Sequence, residues 1–275
     1  MAQDYLKTLL KSYWFAPPVA LWRAIELRVV GQHCWSRPVL DLGCGDGLIG
    51  QALFDSGCAI DVGLDPWFDQ LRQAARLGVY RCVSQAAGRA MPFPNQHFST
   101  VFSNSVLEHI PQVTPVLEEV ARVLRPGGRF VFTVPSDAFR TMLDGYAQRL
   151  AMGDSAGAEA YAAEVDERLD HRQYHGPHGW SELLAYAGMT LVEATYYIPH
   201  EVERFWDRMN ARFGVGRRGS AWSLLVSPRL AFLGFQRPLR WLVVRRFSHR
   251  WRRYYELDVR PGDKGGALLI KARRD

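Results

Sequence analysis

Three glycines at alternate positions, Gly43, Gly45 and Gly47, follow the apolar run Pro38-Val39-Leu40-Asp41-Leu42. Glycine lets the backbone take φ > 0 and bring its N–H groups close to a ligand. A second apolar run from Ala59 ends in Asp65, a carboxylate 22 residues beyond Gly43. Near that spacing, an acid after the second strand of a doubly wound sheet bonds the two hydroxyls of a ribose. Alone, Asp65 reads equally as a helix N-cap. Behind the glycine turn, the ligand role is favoured, and the pattern is that of a nucleotide-type cofactor site. Farther on, His109 stands in Leu107-Glu108-His109-Ile110. A neutral imidazole accepts a proton near physiological pH, or it orients its loop or stacks on a ligand. Both readings stay open, and Glu108 reads as a structural group. His171, His175 and His178 have a spacing that invites metal. Gly176 and Pro177 interrupt any helix there and no cysteine is near, so no metal site is read. Tyr174 and His175 are taken as substrate-side residues.

Such residues need a frame that holds them together. Residues 38–134 alternate between strand and helix patterns: strands at 38–42, 59–64, 79–84, 99–104 and 129–134, helices near 47–56, 67–77 and 112–124. That alternation requires crossovers and a mostly parallel sheet with helices on both faces. Leu124-Arg125-Pro126-Gly127-Gly128 reads as a helix stop, with glycine as the left-handed cap. Around this frame, residues 1–33 form a helical arm broken at Pro17-Pro18, and residues 136–177 are an insertion with a helical run from Ala156 to Leu169. A short helix from Ser181 to Ala187, a strand from Met189 to Ile198 and a last strand from Gly265 to Ala272 complete the reading.

Four elements in this order carry a resemblance. They are the glycine turn with Asp65, Met91-Pro92-Phe93-Pro94, Ser103-Asn104-Ser105-Val106-Leu107-Glu108-His109-Ile110 and Leu124-Arg125-Pro126-Gly127-Gly128-Arg129. Together they resemble the class I S-adenosylmethionine-dependent methyltransferases, above all the broad bacterial small-molecule group. The resemblance covers residues 38–198 and the last strand. It implies a Rossmann-like, doubly wound α/β fold with a seven-stranded, mostly parallel sheet whose last strand is antiparallel. It implies S-adenosyl-L-methionine as cofactor and S-adenosyl-L-homocysteine as product. By the same resemblance Asp41, Gly43, Cys44, Gly45 and Gly47 hold the methionine end, and Asp65 takes the ribose diol. Pro66 and Trp67 flank the adenine, backbone groups at Ala86 and Ala87 read it, and Asn104 and Ser105 lie at the cofactor. His109, whose loop faces the methyl group in relatives, and His175 are the candidate catalytic residues. Two positions depart from the family pattern: Ala87 stands where an acid usually meets the adenine amine, and Ser99 stands where an aspartate usually opens the fourth strand.

The chain of 275 residues, 48% apolar, is long enough to bury the core of one domain. It reads as a single domain over 1–275 with the arm at 1–33, a helical lid at 136–177 and a basic, aromatic-rich insertion at 199–262. The net charge of +6 conceals an uneven distribution. Residues 204–253 hold thirteen arginines against one acid, Asp207, a formal +12 that leaves −6 for the rest. Trp206, Trp222, Trp241 and Trp251 lie in the same insertion, with apolar runs at 221–226, 230–235 and 241–244. Arginine beside tryptophan and leucine suits an anionic membrane surface. It equally suits a lid or dimer arm with one solvated face. Nucleic acid ranks third, since no RNA-binding signature accompanies the arginines. The uncharged run from Ser12 to Trp22 is too short to span a bilayer. Cys34, Cys44, Cys58 and Cys82 show no pairing pattern, which suits a reducing cytoplasm. The expectation is a methyltransferase acting on a small hydrophobic or lipid-linked acceptor, cytoplasmic and peripheral on the inner membrane face. Behind it stand a soluble small-metabolite methyltransferase, then an RNA methyltransferase or a non-catalytic cofactor-binding protein.

Overall fold

Strand β1 (Val39–Leu42) is buried along its whole length, as a strand flanked by parallel neighbours with both faces covered must be. The computed structural model describes residues 3–54, 60–214, 221–227, 230 and 234–275. Cys58, Ala59, Arg217, Arg218, Pro228, Arg229 and half of the apolar run 230–235 lie outside the described residues. The chain divides into a sheet unit (30–138, 170–196, 267–275) and a helical unit (1–29, 139–169, 197–266).

In the helical unit, α1 (Tyr5–Ser12) buries Tyr5, Leu6, Leu9 and Leu10, and α2 opens on Pro17-Pro18 and runs to Val30. The two prolines break the arm and begin its second helix, where a missing N–H costs no bond. Helices α3 (Leu48–Leu53), α4 (Phe68–Leu77), α5 (Thr114–Val123) and α9 (Pro177–Tyr186) belong to the sheet unit with β2 (Ile60–Asp65), β3 (Tyr80–Gln85), β4 (Phe98–Asn104), β5 (Leu124–Pro135), β6 (Met189–Tyr196) and β7 (Ala267–Arg274). The strand order is β3-β2-β1-β4-β5-β7-β6. All pairs from β3 to β5 are parallel, and β7 runs antiparallel to β5 and β6. Phe98, Phe102, Phe130 and Phe132 are fully buried in this sheet, each contributing about 1.5–3 kcal/mol.

Two local expectations differ from the structure. Helix α5 needs no glycine cap: Leu124 is already extended and pairs with Phe98, while Gly127, at φ +74°, turns the bulge before Arg129. Gly176-Pro177 starts helix α9 rather than only interrupting one, because proline is suited to the first helical position.

The arm, the lid and the basic insertion pack together as the helical unit. It adds α6 (Phe139–Met142), α7 (Asp144–Ala151), α8 (Ser155–Leu169), α10 (His200–Phe213), α11 (Ala221–Leu225), α12 (Gln236–Arg250) and α13 (Arg252–Tyr255). Trp22 sits 5.8 Å from Phe139 and 5.1 Å from Trp206, ring to ring. Buried Asp144 accepts from Arg204 at 2.9 Å and Arg208 at 2.8 Å. Asp207 accepts from the Tyr161 hydroxyl at 2.7 Å and the Gly145 N–H at 3.0 Å. No helix among the described residues is long and apolar enough to cross a membrane.

Glu203, on α10, is fully buried, and burial together with the nearby Asp207 holds its carboxyl well above the usual range. Unfolded, it ionises near 4.5; folded, it holds its proton to higher pH. The unfolded state therefore gains by ionising as pH rises, and stability falls above that value. Glu203→Met is expected to raise the thermal midpoint, with a larger gain at about pH 8 than at about pH 5. Scanning calorimetry at both values checks this.

Candidate functional site

Beyond β1 the chain turns through Gly43, Gly45 and Gly47 at φ +77°, +54° and +82°. The N–H groups of Gly43 and Cys44 donate to the Leu64 carbonyl at 2.7 and 3.0 Å, tying the turn to the end of β2. A Cβ on Gly43 would collide with Val106, whereas one on Gly45 would enter open space. Asp65 is buried, and its carboxylate accepts from the Gly45 N–H at 3.0 Å and the Trp67 N–H at 2.9 Å. An ionised carboxylate offers about four acceptor sites, so capacity remains for a pair of hydroxyls. These strand ends surround a cleft of about 760 Å³.

Of the residues singled out in the sequence, Gly43, Asp65, Pro66, Trp67, Ala87 and His109 line this cleft, joined by Arg89, Gln112 and Asp170. The others stand outside the lining. Asp41 is buried under the turn and accepts from the Tyr80 hydroxyl at 2.6 Å. Burial pushes its carboxyl up to about 7; the Tyr80 bond opposes that shift and Asp65 adds to it. Burial likewise pushes the Cys44 thiol up. Gly45 and Gly47 contribute turn backbone, and Ala86 packs against the sheet core. Asn104 accepts from the Thr133 hydroxyl at 3.3 Å, and Ser105 takes φ +49° with its N–H on the Thr133 carbonyl at 3.0 Å. His175 lies 2.9 Å from the Gln173 side-chain oxygen, with its ring edge-on to Trp180 at 5.2 Å. Burial lowers its pKa from the usual histidine value.

His109 closes a 3₁₀ turn, Leu107–His109, that follows β4. Its Nδ1 is 2.9 Å from the Asp170 carbonyl oxygen. A carbonyl only accepts, so Nδ1 carries the proton and Nε2 of the neutral ring keeps its lone pair. The turn is gripped from the stretch after α8. Gln173 donates from Nε2 to the carbonyls of Leu107 and Ile110 at 2.8 Å each, and the Arg172 N–H donates to the Glu108 carbonyl at 2.8 Å. Asp170 adopts φ +57°, a conformation that non-glycine residues seldom take. Farther along α5, Arg122 donates to the carbonyls of Met91 and Phe93 at 2.9 and 2.8 Å, and Glu119 takes the Met91 N–H at 2.7 Å. None of Asp170, Gln173, Tyr80 or Arg122 was singled out in the sequence. Each acts on a partner at least 28 positions away, and no local spacing announces that.

Residues 40–132 match the model of a methyltransferase domain family. A probable S-adenosylmethionine-dependent methyltransferase of Mycolicibacterium smegmatis is 27% identical over 198 residues, covering 67% of this chain and 71% of that protein. A ubiquinone biosynthesis O-methyltransferase of Pseudomonas fluorescens is 29% identical over 104 residues, 35% of this chain and 44% of that one. The chain spans less than half the length of several curated relatives that it matches. Among solved structures, a possible histamine N-methyltransferase of Thermotoga maritima superimposes with a TM-score of 0.56 at 12% identity, over 98% of this chain and 100% of that one. At that identity the likeness shows the fold.

The grip on the His109 turn is testable without any ligand. Gln173→Ala removes both side-chain bonds to the turn, and amide exchange at residues 107–110 is expected to quicken about tenfold. Hydrogen exchange read by mass spectrometry checks this.

Proposed function

We propose that the chain is a class I S-adenosylmethionine-dependent methyltransferase that methylates a small hydrophobic or lipid-linked acceptor presented at the inner face of a membrane. The observation that carries the catalytic half is the cleft itself, with the glycine turn, Asp65 and His109 around one space. The residues fit the cofactor: the open approach at Gly45 leaves room against the turn, and Asp65 retains free acceptor sites. When bound, S-adenosylmethionine supplies an activated methyl carbon on a sulfonium leaving group.

The chain's own task is then positioning and the exclusion of water. Gly43 and its neighbours would hold the methionine end, Asp65 the ribose hydroxyls, and Trp67 one face of the adenine. Val106, Ile110 and Val116 give the cleft apolar walls. With its Nδ1 proton held by Asp170, His109 presents Nε2 as the acceptor for a proton. For a hydroxyl substrate, Nε2 would take the hydroxyl proton as the bound S-adenosylmethionine supplied its methyl group to the oxygen. The relative named for ubiquinone biosynthesis O-methylation supports an oxygen acceptor.

The membrane half rests on α12. Trp241 and Leu242 are 59% and 50% exposed, with Arg237, Arg240, Arg245, Arg246 and Arg250 exposed on the same helix. The Arg245 guanidinium lies 5.1 Å over the Trp241 ring. On α11, Leu224 and Leu225 are exposed as well. Arginines at headgroup level and tryptophan and leucine at the acyl boundary suit a peripheral anionic surface, each cation contributing about 1 kcal/mol.

Asp65→Ala is expected to weaken S-adenosylmethionine binding at least tenfold, since hydrogen bonds to a charged group contribute about 1.5–3 kcal/mol each. Titration calorimetry reads this, and a wild-type chain that binds neither cofactor nor S-adenosylhomocysteine would refute the catalytic half. His109→Ala should leave that binding intact and lower turnover on a hydroxyl acceptor about 10²–10⁴-fold. Vesicle flotation tests the membrane half. The full chain should float with phosphatidylglycerol vesicles at low salt and not with phosphatidylcholine alone, and Trp241→Ala with Arg245→Glu should abolish flotation. A chain that stays in solution with anionic vesicles points instead to a soluble acceptor.

A further inference from the structure

Beneath the glycine turn lies a buried pair, Asp41 and Tyr80, of which the methyl-transfer reading leaves Tyr80 unused. Tyr80 opens β3 and is packed with Val39, Cys44, Ile60, Leu71 and Ala74. Its hydroxyl donates to Asp41 at 2.6 Å, and Asp41 sits on β1 two residues before Gly43. The ring fills space that three glycines leave open. A Cβ on Gly63 would stand 3.0 Å from the ring and one on Gly47 3.2 Å from it, while one on Gly50 would collide with the hydroxyl. Gly63 is the β2 partner of Asp41 in the sheet register. Gly47 and Gly50 are the N-cap and the third residue of α3. One phenol therefore touches β1, β2 and the start of α3, the three pieces between which the turn is strung.

We propose that Tyr80 is a positioning residue for the cofactor turn, acting through Asp41: its ring sets the height of the turn, and its hydroxyl holds Asp41 in the form that accepts the cofactor. The proposal rests on the reading of the cleft as an S-adenosylmethionine site. Asp41 stands two residues before that turn and is buried beneath it, and the incoming methionine end carries an ammonium and a sulfonium. An ionised Asp41 attracts those charges, and a protonated one does not. The groups facing Asp41 are the Tyr80 hydroxyl from β3, the Asp65 carboxylate from β2 and the Cys44 thiol in the turn itself, with Asp46 acting on the latter two partners, Tyr80 and Cys44. Burial and Asp65 push the Asp41 carboxyl up to about 7, and the Tyr80 hydrogen bond is the influence that pulls it down. Cofactor uptake thus displaces a proton from Asp41, and affinity rises as pH climbs through that value. Without the hydroxyl, the midpoint of that rise moves upward.

The test is titration calorimetry of the full chain with S-adenosylmethionine between about pH 5.5 and about pH 8.5, for wild type, Tyr80→Phe and Asp41→Asn. Wild-type affinity is expected to rise through pH 7, with proton release seen as a dependence of the heat on the buffer. Tyr80→Phe should shift the midpoint up by about one pH unit and weaken binding about tenfold at neutral pH. Asp41→Asn should flatten the profile, apart from titration of the cofactor's own ammonium, which is common to all three proteins. Hydrogen exchange at residues 43–48 in ligand-free protein is the second readout. It should quicken in Tyr80→Phe while the exchange of β4 and β5 is unchanged. A Tyr80→Phe chain with the wild-type pH profile, or with an equal loss at every pH, would overturn the role through Asp41. Wild type that binds no cofactor at any pH would sink the cofactor reading instead. In that case unchanged exchange in Tyr80→Phe would overturn the positioning role, and quickened exchange would uphold its geometric part.

Discussion

One carboxylate ties two strand ends together. Asp65 accepts the amide of Gly45, in the turn after β1, and the amide of Trp67, at the entry to α4. Parallel strands end on the same edge of a sheet, and each end leaves backbone N–H groups without partners in the ladder. A buried acid at the end of β2 satisfies two of them at once, and its charge strengthens both bonds. The rest of the cleft follows from that tie. The turn must bend back through left-handed glycines to bring Gly45 within reach, and Gly43 must lack a side chain because Val106 occupies the space. The same carboxylate that builds the site also keeps acceptor capacity for a ligand's hydroxyls, so folding and binding draw on one group.

The opposite wall is held differently. Helix α5 and the loop before β4 are joined by Arg122 and Glu119, neighbours on one helix face that reach the backbone of Met91 and Phe93. The His109 turn is gripped by Asp170, Arg172 and Gln173. Both arrangements use side chains or backbone from distant sequence to satisfy carbonyls that a short turn cannot satisfy itself. The histidine ring is thereby fixed in tautomer as well as place. That matters, because an imidazole free to exchange tautomers offers its lone pair in the wrong direction half the time.

Much of this was legible in the sequence, and the reason is locality. The glycine turn, the acid at Asp65 and the strand–helix alternation depend on residue types within short windows, and local sterics and periodicity enforce them, whereas the seven-stranded sheet with its antiparallel last strand was implied by the family resemblance. The helix stop at Leu124 was read correctly in place but not in geometry, since extended pairing with Phe98 supplies what a glycine cap would have. The arm, the lid and the basic insertion were read as three attachments. Their packing into one helical unit depends on Trp22, Phe139 and Trp206 meeting, residues whose spacing carries no signal. Tyr80 and Gln173 were missed for the same reason. A tyrosine at the start of a strand is ordinary, and only its approach to Gly47, Gly50 and Gly63 makes it particular.

Helix α12 poses the remaining physical question, because folding alone gives a poor account of it. It buries one described side chain, Val243, over 15 residues. Arg237 and Arg240 stand three apart and Arg246 and Arg250 four apart, spacings at which like charges cost a few tenths of a kcal/mol each. Trp241 and Leu242 meanwhile leave apolar surface in water beside those charges. Each feature on its own weakens an isolated helix, and helices in proteins draw most of their stability from a buried face. Both penalties vanish against a partner that is anionic at its surface and apolar just beneath. A nucleic acid meets the first condition, and meets the second only where a base step opens to admit Leu242, at the cost of unstacking. A bilayer of anionic lipid would meet both without that cost, which is the ground for the membrane surface proposed above.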